Sequence, residues 1–160
     1  MFKVFVRPIL EYASPVWAPG QMRDIEALES VQRRFTSRLP GLGSLGYLPR
    51  LIACNLEPLE LRRIKADLVF MYKIMHGLVD VPVHALFTLL PVSSTRSHSQ
   101  RVSVPLPRTV TRANTFAPRI CKIWNSLQEN TVNAASAQQF VTCLNNENLE
   151  QFLRARQLNA

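Results

Sequence analysis

The chain has 160 residues, 47% of them hydrophobic, and carries 19 Lys and Arg against 11 Asp and Glu, a formal charge of +8. That length and composition bound it to one domain or a large piece of one, leave room for a core and exclude disorder throughout. The basic balance points to a polyanionic partner, with a basic but inert surface as the competing reading.

The apolar positions Phe5, Ile9 and Tyr12 predict a helix over 2–12. Pro8 kinks that helix unless it lies in the first turn, and Pro15 and Pro19-Gly20 end it. The chain opens abruptly into this apolar run with no cap before it, which reads as a truncation. A second helix is expected over 23–39, with Ile25, Leu28, Val31, Phe35 and Leu39 on one face. Arg33, Arg34 and Arg38 form a basic cluster on it, and Arg34 and Arg38 share a side. Pro40-Gly41 stops it. A short helix over 48–56 places Leu48, Leu51 and Ile52 inward.

The strongest helical pattern is 59–76, with Leu61, Ile64, Leu68, Met71, Tyr72 and Met75 as its stripe. Arg62, Arg63 and Lys65 crowd its first half, where cations oppose the helix dipole, so something other than helix stability places them. His76-Gly77 supplies the stop. Residues 81–90 hold a short helix, and Val102-Ser103-Val104 alternates like a strand. No Asp or Glu occurs from Val81 to Gln128, while Arg96, Arg101, Arg108, Arg112, Arg119 and Lys122 do. Asn114 is the expected N-cap of a helix carrying Phe116, Ile120, Ile123, Trp124 and Leu127. Ser136 and Gln139 have capping-box spacing at the head of a last helix, with Phe140, Val141, Leu144, Phe152 and Leu153 as its apolar set. The fold class is therefore mainly α: about five amphipathic helices, an irregular basic segment and one short β-hairpin. The expected divisions are 1–90, a basic linker over 91–113, a helical part over 114–153 and a frayed tail over 154–160, together one compact unit.

Nucleic acid is the partner this charge pattern fits best. Lys and Arg neutralise phosphates, and each contact makes affinity fall with salt. The candidate contacts are Arg33, Arg34, Arg38, Arg62, Arg63, Lys65, Arg96, His98 and Arg101, and Thr95-Arg96-Ser97-His98-Ser99 adds hydroxyl and imidazole donors. The competing reading of each cluster is a solvated charged face. Trp124, at helical spacing with Ile120 and Ile123, reads as core rather than as a base-stacking platform. Catalysis has little support. His76, His84 and His98 lack metal-ligand spacing, no nucleophile elbow occurs, and no paired carboxylates lie close in sequence. No cofactor motif is present, and the glycine-bearing loop over 41–46 lacks the Lys and Ser/Thr of a phosphate loop. Cys54, Cys121 and Cys143 read as free thiols in a reducing compartment. With no signal peptide and no membrane-spanning run, the expected setting is intracellular, cytoplasm or nucleus.

Six stretches carry a resemblance. They are the run from Val6 to Trp17 (Val-Arg-Pro-Ile-Leu-Glu-Tyr-Ala-Ser-Pro-Val-Trp), Ile25-Glu26 to Val31-Gln32-Arg33-Arg34-Phe35-Thr36, and Leu59-Glu60-Leu61-Arg62-Arg63. Asp67-Leu68 to Tyr72-Lys73-Ile74-Met75-His76-Gly77, Thr95 to Ser99, and Trp124-Asn125-Ser126-Leu127 complete the set. In order and spacing, to about Leu153, the chain resembles the C-terminal part of jockey-like non-LTR (LINE) retrotransposon polyproteins. The resemblance implies a helical thumb and post-thumb region, thumb-like over 1–90, which grips template and primer. It implies RNA or DNA and an upstream polymerase domain as partners. The catalytic aspartates of that family lie upstream, and the Tyr-x-Asp-Asp motif and endonuclease are absent here, so polymerase activity does not carry over. Two alternatives stand beside it: a helical protein–protein interaction module, and a transposon remnant without function.

Overall fold

The computed structural model describes residues 2–91 and 98–155. It is mainly α-helical, as the periodicity predicts, and its described residues divide into two compact units: 2–63 with 152–155, and 64–151. The division falls inside one helix, between Arg63 and Ile64.

In the first unit a π-helical turn, Phe2–Val6, precedes α1 (Arg7–Glu11) and α2 (Ser14–Trp17). Both prolines open a helix: Pro8 and Pro15 occupy first-turn positions, where a missing N–H is harmless. The left-handed Ala13 (φ 51°) separates the two. Then come α3 (Met22–Ser37) and α4 (Tyr47–Ala53), and α5 (Leu59–Met75) begins. The buried positions of α3 are Ile25, Glu29, Gln32 and Thr36, a helical stripe that is polar at three of its four places, whereas Val31 lies on the exposed side. On α4, Leu51 is buried with Arg50, while Leu48 and Ile52 face outward. The inward Leu-Leu-Ile face expected there fails because Arg50 turns in to donate to the Leu45 carbonyl at 3.0 Å.

The second unit holds most of α5, then α6 (Val83–Leu86), α7 (Val110–Ala113), α8 (Phe116–Trp124), α9 (Glu129–Val132) and α10 (Ala137–Leu144). Gly77 ends α5 at φ 64°, with the Leu78 N–H donating to the Lys73 carbonyl at 2.8 Å, the left-handed stop expected from the sequence. Its core is aromatic. Tyr72 stacks on both His76 and Phe140, at 4.1 and 4.4 Å between ring centroids, and its hydroxyl donates to the Ala134 carbonyl at 2.7 Å. Trp124 is fully buried beside them, as its spacing predicts. Leu89 and Val102 form one antiparallel bridge, the remnant of the expected hairpin.

Two caps differ in outcome. Ser136 Oγ accepts from the Gln139 N–H at 3.1 Å, while the Gln139 amide oxygen accepts from the Ala135 N–H at 3.0 Å, a near capping box. Asn114 instead closes α7, and Thr115 stands at the head of α8. The described part of the expected linker is partly packed and partly helical. Residues 98–113 carry a buried His, a fully buried Val and α7.

Candidate nucleic-acid interface

The nine candidate residues separate by environment. Arg34, on the outer side of α3, and Arg38, its C-cap residue, lie one turn apart and are both exposed. Neither makes an ion pair with any described residue. Arg33 turns the other way and sets its guanidinium over the Tyr47 ring, 5.0 Å from the centroid. So the basic cluster of α3 splits, with two arginines outward and one half-buried on an aromatic face.

Arg34 and Arg38 border an open cleft of about 490 Å³. Its remaining lining is apolar: Phe2, Val6, Val31, Phe35 and Leu39. Phe2 stacks on Phe35 with ring centroids 4.7 Å apart and the planes 28° from parallel. Two positive charges thus edge a hydrophobic floor.

The second cluster is engaged within the fold. Arg62 donates to both carboxylate oxygens of Glu11, the Nη2–Oε2 bond being 3.0 Å, and reaches Glu57 at 3.4 Å. These contacts raise its pKa, the Glu11 hydrogen bonds most of all, and fix the side chain between two acids. Arg63 is only 4% exposed. A buried guanidinium cannot meet a phosphate without leaving its site, so Arg63 is corrected to a structural role. Lys65 donates to the Asn145 amide oxygen at 2.9 Å and is half-buried.

In the acid-free window the charges also diverge. Arg96 lies outside the described residues, as do Thr95 and Ser97. His98 is 3% exposed, and its Nε2 sits 2.9 Å from the Trp124 carbonyl oxygen. Burial pushes its pKa down, favouring a neutral ring. A buried neutral imidazole is no phosphate donor, so His98 too is corrected. Ser99 gives both its N–H and its hydroxyl to Glu129, each at 2.8 Å. Those bonds hold the exposed Glu129 carboxylate below the usual range, the Ser99 hydroxyl contributing most. Arg101 is half-buried, and its Nε has no partner among the described residues. Arg119 is taken by Asp67, an acid outside the window, at 2.8 Å. Arg108, Arg112 and Lys122 remain exposed.

Sequence reasoning missed the cleft beside Arg34 and Arg38. Its signal is the i, i+4 pair next to Val31, Phe35 and Leu39, a row that reads in the sequence only as one apolar helix face. Among the described residues no group of His, Cys, Asp and Glu has the arrangement of a metal site. No described helix is long and apolar enough to cross a membrane. No protein-family model, curated protein or solved structure matches the chain.

Proposed function

We propose that the chain is a non-catalytic nucleic-acid-gripping region of the non-LTR retrotransposon reverse-transcriptase type, C-terminal to the polymerase palm. It contacts template or primer phosphates without sequence preference. The observation that carries the binding reading is the pair Arg34 and Arg38, exposed, one turn apart and unclaimed by any described carboxylate. A charge pair left in this state is positioned for an external anion. The retrotransposon assignment rests on the ordered motifs from Val6 to Leu127.

The test is fluorescence anisotropy of the full chain with a labelled single-stranded RNA and the matching DNA across a salt series. Affinity falls steeply with salt, and replacing Arg34 and Arg38 by Gln together flattens the slope by about 1.4, two single-strand phosphate contacts. An unchanged slope removes the pair from the footprint, and salt-independent binding overturns the reading.

A second reading is favoured by a different observation. Ile9, Tyr12 and Val16 are 75%, 80% and 85% exposed, and Phe5 is exposed with them. Large apolar side chains so placed suit a helical protein–protein contact. Association through these side chains is insensitive to salt, which separates the two readings.

A further inference from the structure

We infer that the cleft beside Arg34 and Arg38 receives an unpaired nucleobase, so that this surface distinguishes single strands from duplex. The inference rests on the phosphate-contact reading above and adds to it the feature that is read. The cleft, about 490 Å³, falls within the size of small-ligand sites and exceeds what one base needs. Its chemistry is divided in the way a nucleotide is divided. Val31, Phe35 and Leu39 offer an apolar floor, and Arg34 and Arg38 offer two cations at its edge. Residues four apart on a helix lie about 5–6 Å apart at Cβ, close enough for both to hold the phosphates flanking one base. Phe2 is buried and stacked on one face of Phe35, so a base meets the part of the half-buried Phe35 ring that Phe2 does not cover. A duplex keeps its bases stacked inside and presents only phosphates, so it engages the arginines and leaves the floor empty. Aromatic stacking accepts any base, which agrees with contact lacking sequence preference. An acidic peptide with aromatic side chains is the other occupant the charges admit. It has no flat group of fixed distance from two anions, so the strand is the better fit.

The experiment compares the full chain's affinity for a base-bearing single strand, the same strand made abasic, and a duplex, each across a salt series. The expected result is about tenfold weaker binding of the abasic strand at equal salt, with the salt slope retained. Val31→Trp, which fills the cleft from a partly exposed position in its lining, abolishes that difference. A strand carrying 5-iodouracil, photo-crosslinked to the unaltered chain, labels Phe35, and this readout does not depend on any variant folding. Equal binding of abasic and base-bearing strands, or a crosslink mapped away from the cleft, overturns the inference while leaving phosphate contact standing. Absence of salt-dependent binding to all three overturns both. Displacement of the strand by a peptide rich in Glu and Phe, with the abasic strand bound equally well, assigns the cleft to protein instead.

Discussion

The Asn125 side chain pairs with both main-chain groups of Val102: its Oδ1 accepts from the Val102 N–H at 3.0 Å and its Nδ2 donates to the Val102 carbonyl at 2.8 Å. One amide thereby does for Val102 what a neighbouring strand does in a sheet. Val102 is fully buried, so neither group has water as an alternative. The adjacent Trp124 indole donates to the Gln100 carbonyl at 2.8 Å, and these two residues together fasten the segment after 97 to the end of α8. Asn125→Ala leaves a donor and an acceptor unsatisfied and lowers stability by about 2–4 kcal/mol. Asn125→Asp keeps the acceptor but sets a carboxylate oxygen against the Val102 carbonyl, so it loses at least as much as the Ala variant. Urea denaturation followed by Trp124 fluorescence, in a Trp17→Phe background, measures both; a loss under about 0.5 kcal/mol for Asn125→Ala contradicts the pairing.

The same segment carries a pH dependence. His98 is held neutral chiefly by burial, with the Trp124 carbonyl and the charge of Glu129 working against that effect and Arg101 with it. Its Nδ1 has no partner among the described residues, so no acceptor there rewards protonation. The folded pKa lies below the ordinary 6.5, so the unfolded chain binds more protons between the two values. The His98 contribution is therefore fully present above pH 6.5 and is lost as pH falls through the folded value. Denaturation midpoints measured from pH 7.5 down to 5 fall for the native sequence and fall less for His98→Gln. Equal slopes for the two proteins would place the pH dependence elsewhere.

What was legible in the sequence is what an apolar period or a local cap encodes. Leu68, Met71, Tyr72, Ile120 and Trp124 are buried where their spacing puts them, and Gly77 and Ser136 stop and start their helices. What was not legible depends on partners distant in the chain. Arg62 reads as a free cation until Glu11, 51 residues earlier, is brought to it. Glu29, Gln32 and Thr36 are buried on α3 without any sign of it in the sequence, because polar residues at helical spacing carry no inward signal until a partner is folded against them. Conversely, Ile9 and Tyr12 have core spacing yet stay exposed, since periodicity states only that a face is apolar and not that something covers it. The candidate interface divides along the same line. Arg34 and Arg38 stay outward, whereas Arg63 and His98, drawn from similar basic patterns, are buried.

Glu29 shows how a buried acid earns its place on α3. Its two carboxylate oxygens accept from the Leu59 N–H, at 3.2 and 3.0 Å, and so cap the first turn of α5 from 30 residues away. The Tyr47 hydroxyl donates to the same carboxylate, and Gln32 donates to the Tyr47 oxygen at 3.1 Å and to the Glu57 carbonyl at 3.0 Å. Burial, and after it the Glu29 charge, push the Tyr47 phenol far above its ordinary range, so it remains a donor at all working pH. Negative charge at a helix N-terminus is favourable, and here it is also shielded from water. Glu29→Ala strands the Leu59 N–H and the Tyr47 hydroxyl and lowers stability by about 2–4 kcal/mol. Glu29→Gln retains one acceptor but turns an amide donor toward two other donors, with a loss of about 1–2 kcal/mol. Thermal and urea unfolding of both variants give the comparison, and a Gln variant as stable as the native chain contradicts the charge-assisted cap.

Arg62 supplies the control that separates a structural arginine from a binding one. Its side chain is about one-third exposed, at 29%, and is shared between Glu11 and Glu57, so its net worth is that of a screened, partly buried pair. Arg62→Gln lowers stability by about 1 kcal/mol, and a double-mutant cycle with Glu11→Gln returns a coupling of similar size that shrinks at high salt. Two carboxylates already occupy the guanidinium, so a nucleic-acid phosphate gains little by replacing them. Arg62→Gln therefore leaves the salt slope of RNA or DNA binding unchanged within about 0.2, while the Arg34 and Arg38 replacements flatten it. A slope that drops by about 0.7 for Arg62→Gln shows instead that Arg62 abandons Glu11 for phosphate, and returns the first turn of α5 to the interface.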